Sequence, residues 1–240
     1  MLKVDLHTHT AEDPSDRIPY QTHELIDRAA ELGFHAIAIT LHNRQLDTAA
    51  YRDYAAKRGL VLIPGVERTI EGRHVLLLNY SAAGAESVDS FAALAQLRAR
   101  ERGLVIAPHP FFPAMCALRG ALTQHADLFD AVEWNAMFTR HINFNLPAER
   151  WAHRHGKPMV GNGDVHRLEQ LGTTYSLIDA KPEAGAICDA IAAGRVHVVA
   201  TPHSMLTATR LMAELVTSTL LPRRRGSRTD PGSRIPDPAY

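Results

Sequence analysis

The chain of 240 residues is long enough to bury a sizeable core as one α/β domain. Lys plus Arg and Asp plus Glu balance at 26 each, so no global field draws it to nucleic acid or to an anionic membrane. Two cysteines, Cys116 and Cys188, exclude a disulfide framework and suit a reducing cytoplasm; no secretory signal pattern opens the chain, and no run approaches the roughly 20 apolar residues of a membrane span.

Short aliphatic runs alternate with helical patterns, which predicts βα units and a parallel sheet. The expected strands are 3–7, 36–40, 61–64, 74–79, 105–107, 131–134, 159–161, 174–178 and 196–199. Between them, 22–32 reads as an amphipathic helix with Gly33 in the left-handed cap position, and 87–102 as a helix opened by Ser87 and closed by Gly103. A last amphipathic helix, 205–221, is expected to pack its apolar stripe on the outside of the barrel. From 222 to 240 the chain is rich in Pro, Gly, Ser and Arg, which predicts a disordered tail whose Arg223-Arg224-Arg225 run is a solvated charge cluster.

Nearly every strand ends on an imidazole or a carboxylate. VDLHTHT gives His7 and His9, which an extended chain projects to one side; AIAITLHN gives His42, LIPGVE gives Glu67, VIAPHP gives His109 and VGNGDVH gives Asp164 and His166. In a (β/α) barrel all strand C-termini open on one face, so these residues converge there. His74 lies at the start of its strand and joins them if 67–74 folds back as a hairpin. A histidine-rich set with carboxylates and no cysteine suits Zn, Mn or Fe, and it is too large for one tetrahedral ion.

VDLHTHT, the AIT-x-HN turn, PGVE, His74, APHP and GNGDVH, in this order, resemble the motifs of the polymerase and histidinol phosphatase (PHP) family of metal-dependent phosphoesterases. The resemblance spans about residues 2–200. It implies a distorted (β/α)7 TIM-like barrel over residues 1–221, with a centre of two or three divalent ions at the C-terminal face of the strands. By this likeness His7, His9, Glu67 and Asp164 hold a first ion, Glu67 bridges to a second completed by His74 and His109, and His42 and His166 hold a third. Asp16 is the favoured partner of the third ion from the loop AEDPSDRIPY, with Asp13 and Glu12 as alternatives. Many family members carry Asp just before the second-motif histidine. Here that residue is Leu41, which accepts no hydrogen bond, so His42 must be oriented from elsewhere.

The expected reaction is hydrolysis of a small phosphomonoester or a nucleotide by in-line attack of a metal-bound hydroxide, with Asp16, Glu67 and Asp164 as the catalytic carboxylates. The expected partner is a small phosphorylated substrate, with neither membrane nor nucleic acid. Two other readings are a nuclease acting on nucleic acid ends, which the lack of a basic, aromatic-interleaved groove opposes, and a non-catalytic scaffold, which the retained ligands oppose. Glu133 and Asn135, at a strand end on the same mouth, either hold a histidine or contact substrate, or are polar rim residues. Arg17, Arg68, Arg140 and His141 are candidate phosphate contacts, His197 and His203 lie near the last strand, and His125, His153 and His155 read as surface residues.

Overall fold

The computed structural model describes residues 1–220; the expected tail at 222–240 lies outside them. In chain order the elements are β1 (Leu2–Thr8), α1 (Thr22–Glu31), β2 (Ala36–Ile39), α2 (Arg52–Ala56), β3 (Val61–Ile70), β4 (Arg73–Leu78), α3 (Ala82–Ser87), α4 (Phe91–Arg100) and β5 (Leu104–Ala107). They continue with α5 (Gly120–Gln124), β6 (Ala131–Asn135), α6 (Asn145–Arg154), β7 (Met159–Asn162), β8 (Thr174–Ile178), α7 (Ala184–Ala192), β9 (Val196–Ala200) and α8 (Met205–Leu220).

One sheet runs in the order β7-β6-β5-β4-β3-β2-β1-β8-β9. The pairs β1–β2, β2–β3, β5–β6 and β6–β7 are parallel, and β4 and β8 pair antiparallel to both of their neighbours, so the other seven strands share one direction. The sheet is a nearly closed, distorted barrel. The seam is bridged by side chains: Gly161 N–H donates to Ser176 Oγ at 2.9 Å, and the same hydroxyl donates back to Gly161 O at 3.1 Å. A Cβ on Gly161 would fall 2.6 Å from Tyr175 O, so glycine is what lets β7 approach β8. Past the end of β7, Val165 N–H donates to His7 O and accepts the His9 N–H at its own carbonyl, tying that loop to β1.

The interior cluster takes Val4, Leu6, Ala38, Ile63, Leu76, Ile106 and Val160 from the strands, together with Ile187, Ala190 and Ile191 of α7. Because α7 packs against β3, β5 and β8 at once, it closes one end of the barrel and leaves the strand C-termini as the open end. Among the described residues, no helix is long and apolar enough to cross a membrane.

Three boundaries differ from expectation. β3 runs to Ile70 instead of residue 64 because Glu71-Gly72, both at positive φ, turn the chain into β4 and pair Thr69 with His74. The expected helix 87–102 is the shorter α4, 91–100: Ser87 instead ends the preceding α3, and Ser90 caps α4 by accepting the Ala93 N–H. The stripe of α8 is only partly covered, with Leu211 buried but Leu206 82% exposed, since this helix lies along the open end of the barrel.

Phe129 is fully buried in the second core cluster, with Phe91, Leu94 and Trp151. Phe129→Ala is expected to lower unfolding stability by about 3–5 kcal/mol in urea denaturation, the range for deleting a core aromatic ring.

Candidate metal centre

The mouth of the barrel gathers the residues at the strand ends around one carboxylate. Glu67, 1% exposed, meets His7 Nε2 (3.4 Å), His9 Nε2 (3.5 Å) and His42 Nε2 (3.1 Å) at Oε2. At Oε1 it meets His74 Nδ1 (2.7 Å) and His109 Nε2 (3.1 Å). His74 reaches it across the β3–β4 hairpin. Asp164 Oδ1 stands 3.4 Å from His7 Nε2, 3.6 Å from His9 Nε2 and 3.5 Å from His166 Nδ1.

Four of these imidazoles are held from behind. His7 Nδ1–H donates to Glu133 Oε1 (2.8 Å), and His9 and His42 Nδ1–H both donate to Asp13 Oδ2 (2.9 and 3.0 Å). His166 Nδ1–H donates to the Asp164 carbonyl (2.9 Å). Each acceptor fixes the Nδ1–H tautomer and turns the Nε2 lone pair inward, the arrangement that metal-ligating histidines adopt. The Nε2 atoms of His7 and His9 are fully buried and have no hydrogen-bond partner. Buried polar atoms are rarely left so, and inward lone pairs beside carboxylates fit a divalent cation.

Five groups of three donors each lie with their ligand atoms within 4.8 Å of one another: His7-His109-Asp164, His7-His9-Glu67, His9-Asp13-His42, His9-Asp164-His166 and His42-Glu67-His74. The donor set therefore suits divalent ions. Electrostatics agree. Burial alone would lower the His7 pKa, but Asp164, Glu133 and Glu67 together raise it well above the ordinary value. Burial likewise opposes the charge on His74, yet Glu67 pushes it up to about 11. The carboxylates of the mouth demand positive charge, which the imidazoles take up as protons and divalent ions would supply more compactly.

Among the loop acids, Asp16 Oδ2 faces His166 Nε2 (3.0 Å) and His42 Nδ1 (3.8 Å) but belongs to none of the five groups. Asp13 sits behind the histidine rings, and Glu12 turns away to accept the Tyr51 hydroxyl at 3.3 Å. The orientation that Leu41 cannot give His42 comes from Asp13, which also accepts the His42 N–H at 2.9 Å.

Sequence reasoning undervalued two residues and missed two. Glu133, besides holding His7, accepts the His109 N–H (2.8 Å) and the Asn135 and Asn162 amides (3.1 and 3.0 Å). Asn135 also donates to Asp164 Oδ2 at 3.0 Å. Asp5, missed entirely, accepts N–H groups from Gly163 and His7, and burial pushes its carboxyl up to about 7. Asn162 accepts the Leu6 N–H. A charged residue inside the hydrophobic run KVDL was the available signal for Asp5.

Other candidates stand elsewhere. Arg68 binds Val88 O and Asn43 Oδ1, Arg140 and His141 are exposed, and His197 lines a surface hollow with Gly156–Met159 residues at the closed end of the barrel. His125 and His155 stack on Phe91 and Trp151, and His203 pairs its N–H with Phe138 O.

A profile of the PHP-associated family matches residues 143–196. Among solved structures, a two-domain protein from Bacteroides vulgatus containing a predicted PHP-like metal-dependent phosphoesterase is 20% identical, over 89% of this chain and 69% of its own, with a TM-score of 0.64. PsfC from Pseudomonas syringae PB-5123 is 17% identical over 90% and 97%, with a TM-score of 0.60. The lesion-specific endonuclease EndoQ from Pyrococcus furiosus is 14% identical over 88% and 66%, with a TM-score of 0.55. No curated protein matches in sequence. The barrel fold is thus shared with PHP-like proteins, and the PHP-associated profile matches within the same barrel.

Asp13→Asn keeps the volume of the side chain but weakens its hold on His9 and His42. Divalent-metal affinity by competitive chelator titration is expected to fall about 10–100-fold, the usual cost of losing such an outer partner, while the circular dichroism spectrum is unchanged.

Proposed function

We propose that the chain is a metal-dependent phosphoesterase that hydrolyses a small phosphomonoester or a nucleotide. The observation that carries this reading is the pair of buried, partnerless Nε2 atoms of His7 and His9 aimed at the Glu67 and Asp164 carboxylates. His7, His9, Glu67 and Asp164 would hold one ion, with Glu67 shared with a second at His74 and His109, and a third lying at His42, His166 and Asp16. Such ions would supply a water of lowered pKa and positive charge for the phosphoryl oxygens.

The chain's own residues do the rest. Glu133 and Asp13 hold the rings of His7, His9 and His42 with Nε2 turned inward. Arg17 lines the cavity and forms no ion pair among the described residues, so its guanidinium is available to a phosphate oxygen. Where only two ions are held, Asp16 and His166, 3.0 Å apart in the same cavity, would share a proton available to the departing oxygen. Cys116 and Cys188 are both free thiols, which suits a reducing cytoplasm.

The likeness to EndoQ favours a nuclease as the second reading; the balanced charge of 26 acids and 26 bases opposes it. Elemental analysis of protein purified without chelator is expected to find about two to three equivalents of Zn, Mn or Fe per chain. Asp164→Ala is expected to cut turnover of a phosphomonoester panel at least about 100-fold. Less than about one equivalent after incubation with these ions overturns the catalytic reading, because the bridged centre then does not form.

A further inference from the structure

We infer that the site selects phosphomonoesters whose leaving group is a compact apolar or aromatic alcohol, received by a wall built from Phe112, Leu211 and Met212. The inference rests on the phosphoesterase reading above and adds the part of the substrate that leaves. A cavity of about 470 Å³ opens over the ligand cluster. Away from the histidines and carboxylates its lining is largely apolar, with Ile18, Phe112, Met137, Leu211 and Met212.

This wall is held in place. The Phe112 ring packs against His109 (centroids 6.2 Å) and Phe144 (5.5 Å), so the face that meets a ligand is fixed beside a candidate metal-binding residue. Leu211 and Met212 come from α8, which Arg167 anchors through its 2.8 Å bond to Glu214 and Arg210 anchors through Glu169. The Arg167 charge is thereby matched, and it adds no free cation to the cavity.

Two of the polar groups in the lining, Asn43 and the Gln170 carbonyl, are already committed. The Asn43 amide donates to Thr69 Oγ1 and its carbonyl accepts from Arg68 and the Thr69 N–H. Gln170 Oε1 accepts the N–H groups of His166 and Arg167. A site that selects a polyhydroxylated group needs free donors and acceptors, whereas this lining offers surface for apolar burial.

The test is calorimetric titration of the metal-loaded protein with phenylphosphonate, methylphosphonate and inorganic phosphate, none of which is hydrolysed. Phenylphosphonate is expected to bind about tenfold or more tightly than methylphosphonate. Phe112→Ala and Leu211→Ala should shrink that preference to about threefold while inorganic phosphate binds as before; Met212→Ala, at a 42% exposed position that folding does not require, should weaken it measurably. Leu206→Ala, on the same helix but outside the cavity, should leave the preference intact. Equal binding of the two phosphonates, or a preference that survives all three wall substitutions, overturns the inference and leaves the phosphoesterase reading standing. Failure of all three probes to bind overturns both.

Discussion

The structure depends on burying one carboxylate, Glu67, where water does not reach it and five imidazoles do. A lone carboxylate in such a place costs many kcal/mol, so the fold has to bring compensating groups from distant parts of the chain. It does so with parallel strands, because their shared direction delivers the ends of β1, β2, β5 and β7 to one face. The exception is instructive. β4 runs the other way, and His74 reaches Glu67 because it lies at the start of β4, which is the same face of the barrel.

The same demand is recorded in the backbone. His109 (φ 29°) and Asp164 (φ 48°) both adopt positive φ, as does Asn43 (φ 56°) beside His42. Non-glycine residues hold that conformation only where their surroundings impose it, and here the surroundings are the outer hydrogen bonds. The His109 N–H donates to Glu133, and the Asn43 N–H donates to the Glu67 carbonyl. Two candidate ligands and the neighbour of a third are thus held at positive φ, and β1 itself shifts register between Asp5 and Thr8 beside His7.

The barrel was legible because its strands are aliphatic runs and its donors follow those runs, as in AITLHN, PGVE and APHP. What could not be read depends on contacts between distant segments. Nothing local distinguishes Glu133, which holds His7 from 126 residues away, from an acid on the rim. The start of α4 turns on which of Ser87 and Ser90 caps, and both are serines ahead of helical patterns. The position of α8 depends on Arg167–Glu214 and Arg210–Glu169, pairs between exposed or half-exposed side chains that leave no mark on the helical period.

Leu41 shows why a site is better judged by its hydrogen bonds than by residue positions. Taken alone, a leucine just before His42 reads as lost support for that ring. Asp13 restores that support from another loop: its Oδ2 accepts from the His9 ring, the His42 ring and the His42 backbone, while its Oδ1 accepts the N–H groups of Ser15 and Asp16. One carboxylate therefore orients two histidines and folds the loop that delivers Asp16 and Arg17 to the cavity. Because three of its bonds come from histidine groups on two different strand ends, Asp13 is held well below the ordinary carboxylate range despite its burial. It remains an anion, and an anion at that point keeps both rings in the tautomer that faces inward. The hydrogen bonds that Leu41 cannot supply to His42 come from Asp13, 28 residues earlier in the chain.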